Sequence, residues 1–551
     1  MFSKKKDKDD AVAGLPTDDD PASQAFLDDT GKPATLPEMG NGGDESKMRV
    51  LLGLLKKVGR RAATCLLVGV KDVANLRLSL PASLLEPIPN LEYWQYADRA
   101  DIFAAIGDSN DDFERMLAVL RFVFSKDLKF VRTRLGKTYN SALGEHFRCA
   151  WRVPSLVLDK DTGAPIVRTH IHVPLANEPA YGGTGGSGWT TPVLRAQDGG
   201  KPSSETSSIR SVTSNKKTTA VKLKRNDSYQ SFDMNRLRQA IPGPGEEVES
   251  LRDPDAGVRE EEKVTVVFLS EQTSHHPPVS AAYYYCPEKG IEAVCVDQIV
   301  ARVAFPSVRL GPGPQNKGVF VRITRKGPGE GEEYQITHPD AQVNGILKGA
   351  YYGTMSDSIS VTCRGGGGEG NLTRLRTLVE YKEESWIGKP RFALEGVMYR
   401  YDEGDVSAES WTKIKQVPVD KVVGYLEGNW MKMIKYRRKG DKEWRVLLNL
   451  DELALIPKLV RPLDEQENDE SRQLWEPVTS NLLAKNWGEA TKQKQAIEQR
   501  QRDIAAELKA AGKVHEPRYF ARDYEDGRPT LTEAGRAAVR DEVERVCGGV
   551  E

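Results

Sequence analysis

The sequence has few cysteines, and none of them are closely paired. Six cysteines are spread over 551 residues, and no two form a CxxC motif. This spacing argues against a zinc ribbon, a CxxC redox motif and the disulfide framework of a small secreted domain. We therefore expect the protein to reside in a reducing cytosol.

Long apolar runs are also missing. No stretch approaches the roughly 18 to 20 apolar residues that are needed to cross a bilayer. The chain begins MFSKKKDKDD and so lacks the apolar core of a signal peptide. Both absences predict a soluble, cytoplasmic protein.

The chain has almost no net charge and no familiar catalytic motif. Its 79 Lys and Arg residues and 80 Asp and Glu residues give a formal charge of -1, so no overall basic field attracts nucleic acid. A Walker loop, a GxSxG elbow, an HExxH pair and a GxGxxG turn after a strand are all missing. We therefore predict no enzyme, no catalytic residues, no cofactor and no nucleic-acid partner.

A zinc site built from histidines is the chemical alternative. His170 and His172 would lie on one face of a strand, and imidazole is a common zinc ligand. A catalytic zinc needs three converging protein ligands, however, and no other ligand spacing in the sequence supports one. We therefore predict no metal site. Only stoichiometric zinc in the purified protein would favour a metallohydrolase.

Composition separates folded from unfolded segments. Residues 1–46 mix Lys, Asp, Gly and Pro without hydrophobic periodicity, which predicts a disordered tail. Residues 176–260 are rich in Gly, Ser and Thr and predict a disordered insertion. This insertion is either a solvated, phosphorylatable loop or a basic arm that contacts a membrane or a partner. Residues 526–551 are predicted to form a C-terminal tail.

The remaining segments have the periodicity of a folded domain. Short runs rich in Val, Ile and Tyr recur beyond Lys263 between Gly and Pro turns, which indicates a large antiparallel sheet or barrel. Helical spacing is present at 111–124 and again after Ser471, where 484–509 is rich in Ala, Gln, Lys, Glu and Arg. The predicted fold class is mainly β with flanking helices (α+β) and a C-terminal helical subdomain.

Residues 48–61 have the pattern of a short basic amphipathic helix, because apolar clusters alternate with Lys and Arg. Such a helix either packs on the core or leaves its apolar site to contact an anionic membrane. Its leucines include Leu51, Leu52, Leu54 and Leu55.

Three separated segments carry polar groups suited to a binding site. The first is a polar turn at 136–145, which by itself is typical of an ordinary loop. The second, 271–278, reads EQTSHHPP and ends in two adjacent histidines followed by two prolines that fix φ. The third, 494–502, has charged residues at i, i+4 and i+8 of a helix, a spacing that is most often a solvated face. The candidate ligands are Lys137, Asn140, His275, His276, Lys494, Glu498 and Arg502.

The EQTSHHPP segment resembles the signature of the oxysterol-binding protein family of lipid-transfer proteins. It differs from the commonest form of that signature at Thr273, where Val is usual. Residues 137–145, KTYNSALGE, are similar to the family's KPFNPLLGE segment, and the charged helix and the sequence PRYF at 517–520 also agree in order. The resemblance covers about 70–525. In the KTYNSALGE segment Thr138, Ser141 and Ala142 are among the residues that depart from the usual ones.

The resemblance implies a large incomplete antiparallel β-barrel that encloses an apolar lipid tunnel. The lipid-binding domain would span 89–525, and 47–88 would form a lid and lid-adjacent segment whose four leucines cover the tunnel mouth. The seven candidate ligands would bind the headgroup of phosphatidylinositol 4-phosphate, with Glu498 orienting its basic neighbours. A sterol or phosphatidylserine would be the second cargo. The implied function is exchange of the two lipids between membranes, and the alternative is a lipid sensor or scaffold that regulates a partner.

The resemblance also indicates a short, fungal-type family member without a pleckstrin-homology domain. Such a protein would be cytoplasmic and would bind anionic membranes transiently, at contact sites of the endoplasmic reticulum, plasma membrane or Golgi. The acidic context of Phe26 is similar to an endoplasmic-reticulum tethering peptide, which would add a tether protein to the partners.

Overall fold

The computed structural model describes residues 87–126, 128–129, 138–166, 262–275, 277–304, 307–344, 352–367, 372–383, 390–453, 455–456 and 458–547. The predicted N-terminal tail, the four lid leucines, His170, His172 and the predicted insertion lie outside these residues.

The described residues form seven α-helices. They are α1 (Asn90–Tyr93), α2 (Ala100–Ala104), α3 (Asp112–Ser125), α4 (Val406–Ser410), α5 (Ser471–Leu483), α6 (Trp487–Ala510) and α7 (Glu533–Cys547). None of these helices is both long and apolar enough to cross a membrane.

The same residues form eighteen strands. They are β1 (His146–Pro154), β2 (Val157–Leu158), β3 (Pro165–Ile166), β4 (Lys263–His275), β5 (Pro278–Cys286), β6 (Ile291–Asp297), β7 (Ile299–Ala304), β8 (Ser307–Pro312), β9 (Val319–Ile323), β10 (Glu332–Ile336), β11 (Asp340–Asn344), β12 (Tyr352–Ser356), β13 (Ser358–Gly365), β14 (Thr373–Tyr381), β15 (Ala393–Asp402), β16 (Val422–Asn429), β17 (Met433–Arg438) and β18 (Arg445–Asn449).

Twelve of these strands form one antiparallel sheet. Its order is β1-β4-β5-β6-β9-β10-β13-β14-β15-β16-β17-β18, and β1 and β18 are its two edges. The sheet is therefore open, as expected for an incomplete barrel. A second sheet has the order β12-β11-β8-β7, and β2 pairs with β3 in a small hairpin. The fold class predicted from the sequence, mainly β with flanking helices, is confirmed.

Helices α2 and α3 lie on one face of the large sheet. Helix α3 begins after Asp111, whose side chain accepts hydrogen bonds from the backbone amides of Phe113 and Glu114 and so caps the helix. It contacts β14 and β18, whereas α2 contacts β1 and β4. Met116 and Leu120 of α3 belong to the same buried cluster as inward-facing strand residues. The helices therefore pack near both edges of the open sheet, and the helix predicted at 111–124 is confirmed.

Strand β4 is buried on both faces. Its register with β1 runs from His146 opposite Glu271 to Pro154 opposite Lys263. Val266 of β4 belongs to the main core with α2 and α3. The next residue, Val267, points to the other face and packs in a separate cluster with α7. A strand with two packed faces is held firmly, and β4 ends at His275, the first of the two signature histidines.

Helix α7 lies within the segment that was predicted to be a C-terminal tail. It contacts β1 and β4, and it buries Ala538, Val539 and Glu542. Packing on the outer face of β4 requires a helix with small or branched apolar residues on one side, and α7 supplies them. The folded domain therefore continues beyond 525 to Cys547.

Candidate lipid headgroup site

The signature segment forms a tight hairpin between β4 and β5. His275 is the last residue of β4 and pairs with Pro278, the first residue of β5. The register shifts between Gln272 and Ser274, so a bulge precedes the histidine. Because Pro278 has no amide proton and a fixed φ, the hairpin end is stiff. His275 is half-buried, and His276 lies outside the described residues.

His275 contacts the polar loop that precedes β1. Its Nδ1 lies 3.1 Å from the carbonyl oxygen of Ser141, so the Nδ1–H of the ring donates to that oxygen. A neutral ring that donates from Nδ1 carries no proton on Nε2. Donation to a phosphate through Nε2 therefore requires the protonated imidazole.

The polar loop, residues 138–145, is anchored by its apolar members. The ring of Tyr139 stacks on Trp475 of α5 with centroids 4.7 Å apart, and its hydroxyl lies 2.8 Å from Thr479 Oγ1. Ala142 is buried in the same cluster. Asn140, between these anchors, is exposed at the surface, whereas Lys137 lies outside the described residues. The loop thus presents Asn140 because its neighbours are fixed.

Backbone hydrogen bonds extend the pairing of β1 and β4 into this loop. The amide of Gly144 donates to Gln272 O at 3.0 Å, and the amide of Gln272 donates to Glu145 O at 2.8 Å. Gly144 has φ = 77°, a left-handed conformation that favours glycine. The loop and the histidine hairpin are consequently held side by side.

Glu145 is a fully buried carboxylate beneath the polar loop. Its Oε2 accepts hydrogen bonds from the Ala142 amide at 2.8 Å and from Trp475 Nε1 at 2.9 Å, and its Oε1 accepts from Ser471 Oγ at 2.7 Å. Burial raises the pKa of Glu145 to about 7, although these three donors act in the opposite direction. The carboxyl group links the loop to α5 and titrates near neutral pH.

Helix α6 supplies the charged face of the site. Lys494 is buried, and its Nζ lies 2.7 Å from Glu498 Oε1. Glu498 Oε2 lies 3.9 Å from Arg502 Nη2, so one carboxylate lies between two cations. Gln501 Oε1 accepts a hydrogen bond from the Leu143 amide at 3.0 Å. This last contact fixes α6 against the polar loop.

The structure therefore brings three of the predicted segments together. The hairpin end contacts the polar loop through His275 and Ser141, and the loop contacts α6 through Leu143 and Gln501. Sequence reasoning missed Tyr139, Trp475 and Gln501, which hold the site but contribute no charge. Tyr139 lies inside the KTYNSALGE segment, so its position next to Asn140 was the available signal.

The closing segment PRYF packs against the signature. Glu271 accepts hydrogen bonds from the amides of Arg518 at 2.7 Å and Tyr519 at 2.8 Å. Thr273 Oγ1, at the position where Val is usual in the resemblance, accepts a hydrogen bond from the hydroxyl of Tyr524 at 3.1 Å. The unusual threonine thus gains a partner from the C-terminal segment.

Comparisons with known proteins identify relatives of this chain. A sequence profile described as "Oxysterol-binding protein" matches residues 245–482. Oxysterol-binding protein-like protein 1 of Schizosaccharomyces pombe is 40% identical over 498 residues, which are 90% of this chain and 90% of that protein. Oxysterol-binding protein-related protein 11 of Homo sapiens is 25% identical over 459 residues, which are 81% of this chain but only 46% of the human protein.

Among solved structures, the Osh1 ORD domain in complex with cholesterol aligns with a TM-score of 0.49 and 14% identity over 86% of each chain. The extent and identity of the match to the Schizosaccharomyces pombe protein establish the class of protein. The chain belongs to the oxysterol-binding protein family.

Proposed function

We propose that the protein exchanges lipids between membranes, carrying phosphatidylinositol 4-phosphate in one direction and a sterol or phosphatidylserine in the other. The observation that carries the proposal is the convergence of the His275 hairpin, the polar loop and the charged face of α6. Membership in the oxysterol-binding protein family supports it.

The headgroup would be held by charge. Phosphatidylinositol 4-phosphate carries several negative charges, and hydrogen bonds from charged donors to phosphate are about twice as strong as neutral ones. Lys494 and Arg502 would supply cations, with Glu498 keeping both oriented. Asn140 would add a neutral donor, and His275 would donate through Nε2 when protonated. Lys137 and His276 complete the proposed headgroup set.

The lipid tails would be held by the tunnel. Exposing acyl chain to water costs about 0.8 kcal/mol per CH2, which is roughly 20 kcal/mol for two long chains. A carrier must therefore enclose the tails during transfer. We assign the cover to the lid segment 47–88 and its leucines, Leu51, Leu52, Leu54 and Leu55.

The same proposal includes location and partners. The protein would act in the cytoplasm and bind anionic membrane surfaces transiently at contact sites. A tether protein of the endoplasmic reticulum would bind near Phe26.

Transfer between liposomes tests the proposal. Donor vesicles contain phosphatidylinositol 4-phosphate, acceptor vesicles contain either a sterol or phosphatidylserine, and each lipid is followed in both directions. Exchange predicts that phosphoinositide transfer accelerates only when one counter-lipid is present, and that each protein molecule moves many lipids. At most one lipid moved per protein molecule would instead favour a sensor or scaffold.

A double substitution tests the division between headgroup and tail. His275→Ala with His276→Ala is expected to abolish phosphoinositide extraction while second-cargo binding remains, because neither substitution changes an apolar residue of the proposed tunnel. His338→Ala is the matched control, since that histidine packs on Tyr96, with ring centroids 5.5 Å apart, and is not part of the headgroup set. Equal loss of both cargoes by a double variant with a normal circular dichroism spectrum would contradict the assignment.

A further inference from the structure

His146 is a buried imidazole with neither ring nitrogen hydrogen-bonded. It is the first residue of β1, and its side chain is only 1% exposed. Among the described residues, neither Nδ1 nor Nε2 has a hydrogen-bond partner, while the ring packs edge-on against Tyr519 with centroids 4.9 Å apart. Leaving buried polar atoms without a partner costs about 1 to 3 kcal/mol each. An imidazole in this position is therefore suited to binding a ligand through one of its ring nitrogens.

Three carboxylates of the segment that leads into α5 lie near this ring. One of them, Glu470, is fully buried; its Oε2 lies 3.9 Å from His146 Nε2 and 3.3 Å from Arg148 Nη2. Asp469 Oδ1 lies 3.8 Å from His146 Nδ1. One possible ligand atom from each of His146, Glu467 and Asp469 lies within 4.8 Å of the other two. The backbone holds these groups in place, because the His146 amide donates to the Asp469 carbonyl at 3.1 Å. The backbones of His146 and Asp469 are thus held together independently of their side-chain contacts.

We propose that His146, Glu467 and Asp469 bind a divalent transition-metal ion of the zinc type, with water in the remaining coordination position. One imidazole with two carboxylates is a donor set that suits zinc better than calcium, which takes oxygen ligands. Zinc lies about 2.0 to 2.2 Å from nitrogen and oxygen ligands, so two ligand atoms of a tetrahedral site are about 3.4 Å apart. Ligand atoms within 4.8 Å of one another therefore have to approach by up to about 1.4 Å, which rotation of the Glu467 and Asp469 side chains can supply.

The site is open on one side. The side chains of Glu467 and Asp469 are 38% and 55% exposed, so an ion can reach them from solvent. The buried imidazole lies behind them. This is the arrangement of a half-buried site in which the protein supplies one fixed nitrogen and two adjustable oxygens.

The neighbouring charges decide whether a cation is tolerated. Arg518 is hydrogen-bonded to Glu467, and Arg148 Nη2 lies 4.0 Å from Glu467 and 3.3 Å from Glu470. With Asp469, three carboxylates face two guanidinium groups, which leaves one negative charge in excess. The Arg518 side chain is half-exposed, so it can move into solvent and release the Glu467 carboxylate without breaking a buried contact. Arg518 is thus a competitor of the ion.

A bound metal ion would join β1 to the start of α5, and both of these elements adjoin the polar loop. Residue 146 follows Glu145, and Asp469 precedes Ser471, whose hydroxyl donates to Glu145. An ion between β1 and the start of α5 therefore closes the base of the polar loop. Since it binds the folded chain, it also raises thermal stability in proportion to the logarithm of its concentration.

Titration of the metal-free full chain with ZnCl2, followed by calorimetry and by thermal unfolding, tests the site. We expect saturable binding of one ion and a rise in the melting temperature. Asp469→Asn should weaken binding at least about tenfold, a loss that even outer-shell partners produce. His146→Gln should do the same. Glu465→Gln is the matched control, because this exposed carboxylate of the same segment lies outside the cluster and should leave binding unchanged.

Arg518→Gln provides a test in the opposite direction. Removal of the competing cation should tighten zinc binding about fivefold, the effect of one charge at about 4 Å in water. No saturable zinc binding, tighter binding of CaCl2 than of ZnCl2, or equal zinc affinities in the wild type and Asp469→Asn would each overturn the site. Misfolding of His146→Gln would not rescue it, because the Asp469 side chain is exposed and we expect its amide variant to retain the fold.

Discussion

Replacement of Glu145 by glutamine should remove a pH dependence from the stability of the domain. The glutamine oxygen can accept the hydrogen bonds of the Ala142 amide and Trp475 Nε1, which both go to Oε2 in the wild type. The glutamine amide can donate to Ser471 Oγ, which in turn lies 3.1 Å from the carbonyl of His146. The substitution therefore keeps the contacts and removes only the titration.

The magnitude follows from the pKa of Glu145. Burial raises it to about 7 in the folded protein, against 4.5 for the reference carboxyl group. Between these two pH values the folded chain retains a proton that the unfolded chain has lost, so the free energy of unfolding falls as the pH rises. The stabilising contribution is fully present below 4.5 and lost above 7. The whole difference corresponds to about 3 kcal/mol.

Urea unfolding at pH 5, 6, 7 and 8, followed by tryptophan fluorescence, measures this effect. We expect similar stabilities for the wild type and Glu145→Gln at pH 5, and a variant more stable by up to about 3 kcal/mol at pH 8. Glu465→Gln removes an exposed carboxylate from the segment before α5 and so controls for the loss of one surface charge. If the wild type and Glu145→Gln show the same slope against pH, Glu145 is ionised throughout and the reasoning is refuted.

Two further substitutions test the site and its support. Lys494→Ala should reduce phosphatidylinositol 4-phosphate extraction by about tenfold or more, because a charged hydrogen bond is lost. Lys492, whose side chain is 76% exposed on the same helix, is the control, and Lys492→Ala should leave extraction unchanged. Equal effects of the two substitutions would contradict a role for Lys494. Thr273→Val should cost about 1 kcal/mol in urea unfolding because Tyr524 loses its acceptor, with extraction unchanged; an unaltered stability would show that this hydrogen bond contributes nothing.

Local patterns predicted the elements that depend on local chemistry. The apolar run of β4 and the helix-favouring composition of α6 are visible over a few residues, and both elements are present where expected. The segment that contains α7 was predicted as a tail, and the helix is polar in mean composition. Its stability comes from packing on β4, more than 250 residues earlier in the chain. The spacing of Ala538, Val539 and Val543 fits one face of a helix, but it does not show which strand that face packs against.

The candidate site was predictable in its charges and not in its supports. Lys494, Glu498 and Arg502 were singled out by the family resemblance, because charged residues at helical spacing are by themselves most often a solvated face. Gln501, which binds the Leu143 amide, is one glutamine among several on a polar helix. Its role depends on the orientation of α6 against the loop, and this orientation is a property of the folded chain alone.

The contact between Glu271 and the closing segment has a consequence for biosynthesis. The amide of Tyr519 reaches the Glu271 carboxylate across 248 residues of sequence. At about 5 to 20 residues per second, a ribosome needs roughly ten seconds to a minute to synthesise that interval. During this time the Glu271 carboxylate of the nascent chain has no Arg518 or Tyr519 amide to bind. Helix α7 is not yet present to cover the outer face of β4. The domain therefore completes its fold only after Tyr519 and α7 have been synthesised, and chaperones have access to the exposed face of β4 until then.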